Sequence, residues 1–169
     1  DQSSYKRRPF DLQEVVHEIL LAMGPAVRKT QHRVIDDVPP GLRLDSYPGP
    51  LGQVLMNLIN NALIHAFEGR ESGSIRIQAE AIEHDWVAIS VSDDGRGISL
   101  EHQKRIFDPF FTTRLGQGGS GLGLHIVFSL VTELLGGRIE VTSAPGNGAL
   151  FRIRIPCTAP QPKLLAAGQ

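Results

Sequence analysis

The chain has 169 residues, with 17 Lys and Arg against 18 Asp and Glu, which gives a formal net charge of −1. This balance argues against the basic surface that nucleic-acid binding requires, so no nucleic-acid partner is expected. Its single cysteine, Cys157, excludes an intramolecular disulfide and a cysteine-based metal cluster. The length and the 41% hydrophobic content are typical of one domain with its own core. No apolar run approaches the ~20 residues of a membrane span, so we expect a cytoplasmic domain, with membrane anchoring of a longer parent protein left open.

The first half of the chain predicts two helices and two short strands. Residues 1–8 are polar and basic and are expected to be a linker. Asp11 is a good N-cap for a helix over 12–28, with Glu14 three residues later in a capping-box pattern. Short strands are expected over 32–38 and 42–45, around the turn Pro39-Pro40-Gly41, and a second helix follows from Pro48–Pro50 to Phe67.

The second half predicts two antiparallel strand pairs. Apolar residues alternate over 75–81 and 87–91, and again over 139–141 and 151–155. The second pair is joined by the glycine-rich turn 145–148, and a helix with apolar positions from Leu124 to Leu134 precedes it. Residues 9–157 are therefore expected to form the domain, with 158–169 as a tail or linker.

The second helix carries an unusual polar face. Asn57, Asn61 and His65 have the spacing i, i+4, i+8, which aligns them along one side. Asn is a poor helix former, so a reason other than propensity is expected for its repetition. Two interpretations stay open at this point: a solvated face, or a row of amides that faces a ligand.

Three further motifs follow between the strand pairs. Asp93-Asp94-Gly95-Arg96-Gly97-Ile98 comes directly after a strand, and Asp93 is either part of a turn or an acceptor for an exocyclic amine such as that of adenine. Phe107-Asp108-Pro109-Phe110-Phe111 is either a satellite hydrophobic cluster or part of a site. A glycine run then opens a helix, where unpaired N–H groups and the helix dipole suit phosphates.

The glycine run also matches patterns of other nucleotide-binding proteins. Gly116, Gly118 and Gly121 satisfy G-x-G-x-x-G, with Glu140 about twenty residues later. A Rossmann fingerprint should lie in the first βα turn of a parallel unit, whereas an irregular segment precedes this one and the following strands look antiparallel. A P-loop motif and the protein-kinase motifs V-A-I-K, H-R-D and D-F-G are absent from the sequence.

Taken together, the motifs NLINNA, DDGRGI, FDPFF and GSGLGL closely resemble, in this order, the N, G1, F and G2 boxes of the ATP-binding catalytic domain of two-component sensor histidine kinases. That domain belongs to the GHKL superfamily, and FDPFFTTR before a glycine run looks most like the nitrogen-regulation type. The resemblance covers roughly residues 10–156. It implies an α/β two-layer sandwich of the Bergerat type: a mixed sheet, three main helices on one face, and a glycine-rich ATP lid.

The resemblance also assigns roles to residues, with ATP and Mg²⁺ as the expected ligands. Asn61 would ligate Mg²⁺, Asn57 would support the phosphate and metal environment, Asp93 would bind the adenine amine, and Arg114 would touch the γ-phosphate. Gly95 and Gly97 would allow close approach to the nucleotide, and Phe107 and Phe110 would anchor the lid. The remaining expected ATP-binding residues are His65, Ile98, Gly118, Gly119, Ser120, Gly121, Leu122, Gly123 and Leu124.

Two departures from the family pattern are visible. Ile64 stands where many members have a phosphate-contacting Lys, and Ala149 replaces a Thr that is common in the last glycine box, Gly146 to Phe151. ATP-hydrolysing relatives have Glu at the position of Asn57, and an amide cannot take a proton from water at neutral pH. Phosphoryl transfer depends mainly on positioning and charge stabilisation, so the sequence favours a kinase over an ATPase.

The phosphoryl acceptor is expected outside this chain. None of the six His lies in the H-E-[LI]-[RN]-x-P setting of a sensor-kinase phosphohistidine. The expected partners are the protein's own dimerisation and phosphoacceptor helical hairpin and a response-regulator receiver domain, with a monomeric fragment and a homodimeric parent. A catalytically weakened nucleotide-binding or docking module and a GHKL serine kinase are the alternatives.

Overall fold

A computed structural model of the chain describes residues 6–111 and 123–161. Arg114, Gly118, Gly119, Ser120, Gly121 and Leu122, to which the sequence assigns roles, lie outside these ranges. The described elements are β1 (Arg8–Asp11), α1 (Leu12–Arg28), β2 (Arg33–Asp37), β3 (Arg43–Ser46), α2 (Pro48–His65), β4 (Ser74–Ile82), β5 (Trp86–Asp93), α3 (Leu100–Gln103), α4 (Gly123–Ser129) with the π-helical turn Leu130–Leu134 continuing it, β6 (Arg138–Ser143) and β7 (Ala149–Pro156).

The main sheet has five strands in the order β2-β4-β5-β7-β6. Strand β2 is parallel to β4, and the other three pairings are antiparallel, so the predicted mixed sheet is confirmed. The predicted hairpins β4–β5 and β6–β7 are also confirmed. Their registers place Ile82 opposite Trp86, and Ser143 opposite Ala149.

The two short strands around Pro39–Gly41 belong to different sheets. Strand β2 lies at the edge of the main sheet, whereas β3 pairs with β1 in a separate two-stranded sheet, with Arg8 opposite Ser46. Strand β1 was not predicted, and its first residue falls in the expected linker. Four residues without clear alternation give little local signal, and their pairing partner lies some 35 positions along the chain.

Residues 157–159 run alongside β3 on the side of this small sheet. The Asp45 N–H donates to the Cys157 carbonyl (2.7 Å), and the Ala159 N–H donates to the Asp45 carbonyl (2.8 Å). Arg7 Nη1 donates to the Ala159 carbonyl (2.7 Å), and Ala159 is buried. Ordered contacts therefore extend past residue 157, while the domain boundaries at 9 and 157 stay predictions.

The core lies between one face of the main sheet and the helices. Helix α2 contacts α1, α4, the π-helical turn and β5. Its side chains Leu51, Leu55 and Leu58 are buried together with Ile89 and Ile153 of the sheet. The opposite face of the sheet carries ion pairs, such as Arg152 with Glu80 at 3.6 Å. This is the two-layer α/β arrangement that the resemblance implied.

Local signals explain why α1 has the predicted bounds. The Asp11 side chain accepts hydrogen bonds from the N–H groups of Gln13 and Gly41, both at 2.9 Å, and so caps the helix. These bonds are the main reason why the pKa of Asp11 is lowered. The apolar stripe faces the core, with the buried residues Leu12, Val15, Val16, Ile19 and Met23. None of the helices in the described ranges is both long enough and apolar enough to cross a membrane.

Candidate functional site

A cavity of about 450 Å³ opens between the polar face of α2 and the turn that follows β5. Helix α2 forms one wall, and the segment from Asp93 to Ser99 forms the wall opposite. Ala149 and Phe151 of β7 contribute from the sheet, and Gly123 and Leu124 of α4 from the remaining side. Further lining residues are His102, Ile106, Phe111 and Pro145, so segments that are distant in sequence meet around one space.

The polar face of α2 forms one side of this cavity. Asn57, Asn61 and His65 all line it, so the spacing i, i+4, i+8 places the three side chains along one cavity wall. Asn57 Nδ2 also donates to the carbonyl of Gly123 at 3.4 Å, which connects α2 to the first residue of α4. The apolar side of the same helix is buried in the core, so the helix presents its amides to the cavity at a fixed orientation.

Asp93 is the carboxylate of the opposite wall. Its Oδ1 accepts the N–H of Gly95 at 2.9 Å, which fixes the side chain at the end of β5. Burial raises the pKa of Asp93, although hydrogen bonds from the N–H groups of Gly95 and Ala149 oppose this shift. A partly desolvated carboxylate in a cavity is a strong acceptor for a donor on a bound molecule, such as an amino group.

The two glycines after Asp93 are closely approached by protein backbone, while their predicted contact with a nucleotide stays a prediction. A Cβ on Gly95 would lie 2.2 Å from the Ala66 carbonyl oxygen, and a Cβ on Gly97 would lie 2.1 Å from the Ala144 carbonyl oxygen. Gly97 also has a φ of +78°, which side chains rarely adopt. These glycines therefore allow close approach of protein backbone, and Gly97 lines the cavity as well.

The aromatic motif divides into a packed residue and an exposed one. Phe107 packs against Phe128 and Phe151, with ring centroids 5.6 and 6.3 Å apart. Phe110 is 70% exposed at a φ of +65°, and the cavity lining includes Phe111 in its place. The lid that Phe110 was predicted to anchor lies outside the described residues, so that role of Phe110 stays a prediction.

Sequence reasoning missed several residues of the cavity. Ile98 and Leu124, which the resemblance assigned to ATP binding, line the cavity. Ile64 and Ala149, at which the chain departs from the family pattern, line it as well. The unpredicted lining residues include Arg96, Ser99, His102, Ile106 and Phe111. The sequence offered one local signal for the short helix that carries His102. Ser99 is a favourable N-cap residue, and in the structure its side chain caps α3 by accepting the His102 N–H at 3.2 Å.

The donor set of the cavity fits a magnesium ion that arrives with phosphates. Within residues 6–111 and 123–161, no group of three His, Cys, Asp or Glu side chains could hold a metal by itself. Asn57, Asn60 and Asn61 line the cavity, and each side chain carries an amide oxygen. Mg²⁺ takes oxygen ligands and usually combines few protein groups with phosphates and water, so the chemistry of these side chains fits the ion.

Comparison with known proteins gives the family. Residues 47–159 match the model of the histidine kinase-, DNA gyrase B- and HSP90-like ATPases. The chain is 38% identical over 157 residues to the sensor histidine kinase ZraS of Klebsiella oxytoca, covering 92% of this chain and 33% of ZraS. It spans about a third or less of such curated relatives.

Solved structures give the same result. The nucleotide-free catalytic domain of histidine kinase ThkA superposes with a TM-score of 0.79 and 32% identity, covering 90% of this chain and 97% of that one. Full-length ShkA in complex with AMPPNP superposes with a TM-score of 0.75 and 30% identity, covering 89% of this chain and 31% of ShkA. The chain therefore belongs to the histidine kinase-, DNA gyrase B- and HSP90-like ATPase family, and it is an ATP-binding catalytic domain of the sensor histidine kinase type.

Proposed function

We propose that this domain binds Mg²⁺-ATP in the cavity between α2 and Asp93, and that it transfers the γ-phosphoryl group to a histidine on a separate helical-hairpin domain. The observation that carries the proposal is that the amide side chains Asn57 and Asn61 and the carboxylate Asp93 line the same cavity. The match to histidine-kinase catalytic domains supports it.

Each wall of the cavity has its own role in this proposal. Asp93 accepts a hydrogen bond from the adenine amino group at the sheet end. Asn61 supplies an oxygen ligand for Mg²⁺, and Asn57 supports the phosphates and the start of α4, to which it is already hydrogen-bonded. The bound ion supplies charge neutralisation of the phosphates. His65, Ile98, Gly97 and Leu124 surround the nucleotide, and all four line the cavity.

Outside the described residues, the proposal relies on the resemblance alone. Arg114 is proposed to contact the γ-phosphate, and Gly118 to Leu122 are proposed to enclose the triphosphate. Gly123, where the described chain resumes, lines the cavity directly beside Asn57. Phe107, packed on Phe128 of α4, is proposed to fix the base of this segment.

The chemistry favours histidine as the acceptor. A nitrogen lone pair of the neutral imidazole forms the N–P bond while the bond from the γ-phosphorus to the bridging oxygen breaks, and ADP leaves. A water molecule or a serine hydroxyl would have to lose a proton as it attacks, whereas this imidazole nitrogen carries none. Asn57 stands where ATP-hydrolysing relatives have a glutamate, and its amide cannot accept a proton from water, so this position supplies no general base for hydrolysis.

The proposal includes partners that lie outside this chain. They are the protein's own dimerisation and phosphoacceptor hairpin and a response-regulator receiver domain. The fragment is proposed to be monomeric, its parent homodimeric and its location cytoplasmic. Because the related proteins are named sensor kinases, an input domain is proposed elsewhere in the parent protein. The nitrogen-regulation subgroup remains a prediction from FDPFFTTR.

Mixing the domain with a separately produced hairpin domain and ATP labelled in the γ-phosphoryl group tests the proposal. Acid-labile label on the hairpin is expected for a histidine kinase. It should be lost with Asn61→Ala and Asp93→Asn, and it should persist with Gln53→Ala, since Gln53 is an exposed α2 residue outside the cavity lining. Acid-stable label would indicate a serine kinase.

A second candidate is a nucleotide-sensing or docking module without catalysis. It is favoured by Ile64, which lines the cavity at the place where many relatives have a Lys that contacts phosphate. Calorimetric binding of Mg²⁺-ATP without any label on the hairpin would favour this module. Absence of binding at millimolar nucleotide would refute both candidates.

A further inference from the structure

Two exposed arginines connect the walls of the cavity outside the proposed nucleotide contacts. One, Arg96, comes from the turn after Asp93 and reaches the end of α2. The other, Arg70, comes from the loop after α2 and reaches the turn after Asp93. Arg96 Nε donates to the His65 carbonyl at 3.0 Å, and Arg70 Nη1 donates to the Asp94 carbonyl. Each wall therefore supplies a guanidinium to the backbone of the other.

The Arg96 bonds cap the C-terminus of α2. The last carbonyls of a helix have no partner within the helix, and that end carries partial negative charge. Here the backbone N–H of Arg96 donates to the Ala66 carbonyl at 2.8 Å, and the Arg96 side chain donates to the His65 carbonyl as described. Arg96 Nη1 also lies 3.1 Å from Glu68 Oε2, just beyond the helix. The guanidinium thus places positive charge at the negative end of α2.

Further hydrogen bonds hold the turn after Asp93, which forms the wall opposite α2, against the rest of the sheet. The Arg96 carbonyl accepts the Gly146 N–H at 2.7 Å, and the Gly95 carbonyl accepts the Gly148 N–H at 3.0 Å. Asp94 Oδ1 accepts the Ser74 N–H at 2.8 Å. These bonds join the turn to β4 and to the β6–β7 connection. A movement of the turn relative to α2 therefore changes the distance between Asp93 and the amides of α2.

We propose that Arg70 and Arg96 are positioning residues that set the separation between Asp93 and the asparagine face of α2, and thereby tune nucleotide affinity and base selectivity. This inference rests on the proposed function, because it takes a nucleotide as the ligand of both walls. Arg70 also acts on Asp93 directly, since its charge lowers the pKa of that carboxyl against the effect of burial.

Calorimetric titration of the complete chain with Mg²⁺-ATP, Mg²⁺-ADP and Mg²⁺-GTP tests the inference. Arg96→Gln and Arg70→Gln should each weaken ATP binding about threefold, and together about tenfold, as expected for exposed charge-assisted bonds at a helix end. Arg96→Lys should recover part of the loss because it keeps the charge. The control is Arg76→Gln, because Arg76 is also 44% exposed and paired with a carboxylate, but lies outside this cavity lining.

The pattern across nucleotides distinguishes positioning from other roles. Positioning predicts equal losses for ATP and ADP and a smaller preference for adenine over guanine. A larger loss for ATP than for ADP would instead indicate a phosphate contact and would overturn the inference. The inference would also be overturned if Arg96→Gln bound the nucleotides with the same affinities as the control Arg76→Gln. No nucleotide binding by the wild-type chain would refute the proposed function itself, so the two failures are distinguishable.

Hydrogen exchange provides a readout that needs no nucleotide. Amides of the last turn of α2, residues 62–66, should exchange faster in Arg96→Gln than in wild type, with exchange in α1 unchanged. Equal protection of these amides in both proteins would overturn the inference.

Discussion

Gly148 and Gly146 lie in the same β6–β7 connection and offer a matched pair of substitutions. Both have positive φ, +70° at Gly148 and +83° at Gly146. A Cβ on Gly148 would lie 2.0 Å from the Asp93 carbonyl oxygen, whereas a Cβ on Gly146 would meet nothing within 4 Å. Replacing each glycine by Ala therefore separates backbone strain from steric collision.

The magnitudes follow from these two contributions. Ala in the left-handed region costs about 1 kcal/mol, which is the whole expected effect of Gly146→Ala. In Gly148→Ala, the Asp93 carbonyl oxygen, 2.0 Å from the added Cβ, must also move by about 1.4 Å to reach an ordinary contact distance of 3.4 Å, and such overpacking adds about 2 kcal/mol. We expect Gly148→Ala to lower the free energy of unfolding by about 3 kcal/mol. It should also weaken nucleotide binding, because the residue that moves carries the carboxylate of the site.

Urea denaturation of the two variants and of the wild type provides the measurement, with the slope of each transition compared to verify that the unfolded states are alike. Nucleotide affinity, measured on the folded proteins, gives the second readout. Equal destabilisation by the two substitutions would show that the Asp93 carbonyl moves away from the added methyl group without loss of stability. This result would refute the expectation that the close contact between Gly148 and Asp93 excludes a side chain.

Three further predictions concern the site and the core. Asp93→Asn should weaken nucleotide binding at least about tenfold, as expected for loss of a charged acceptor, yet raise the stability of the nucleotide-free domain at pH 7. Burial raises the pKa of the Asp93 carboxyl above its ordinary value of 3.8. The free energy of unfolding of the wild type therefore falls as pH rises from 3.8 through the raised pKa. At pH 3 the carboxyl is protonated in both the folded and the unfolded state, so the stability difference between Asp93→Asn and the wild type should disappear. Leu55→Ala, at a fully buried position, should cost about 3 kcal/mol by urea denaturation, whereas Leu21→Ala, at an 80% exposed position, should change stability by less than about 0.5 kcal/mol. Thermal melts should likewise show a loss of about 2 kcal/mol for Phe107→Ala and almost none for Phe110→Ala; equal losses would contradict the packing of Phe107 on Phe128.

The features that the sequence predicted well are those with local causes. Helix α1 has the predicted bounds because a capping side chain and a stripe of apolar residues both act within a few positions. The β4–β5 hairpin is likewise specified by alternation on both sides of a short turn. In that turn, His84 and Asp85 take positive φ values of 65° and 60°.

The features that escaped prediction depend on partners distant in sequence. The pairing of β1 with β3, and the parallel pairing of β2 with β4, follow from the packing of the whole domain, and no residue in a four- or five-residue strand specifies its neighbour. Gly95 and Gly97 illustrate the same limit within the site. A glycine indicates that something comes close, but the sequence does not say that this neighbour is the backbone of Ala66 or Ala144.

Residues at the site were predictable when a motif placed them on a regular element. Asn57, Asn61 and Asp93, which line the cavity, stood out in the sequence because they lie on one helix face and at one strand end, and the family resemblance then assigned their roles. Arg96 lies inside one of the motifs, but its contacts depend on how the turn folds against α2. His102 and Phe111 meet, with ring centroids 5.4 Å apart, only because an irregular segment folds back on α3.

The hydrogen bond from Arg7 to Ala159 has a consequence for protein engineering. Because this bond shows that the two ends of the described chain lie near each other, a host protein could receive this domain within a surface loop. For the same reason a few-residue bridge would suffice to join the ends covalently, and the chain could then be opened at another exposed turn. Nucleotide affinity in such a permuted molecule should match that of the parent sequence, since β1 and residues 157–159 lie outside the cavity lining.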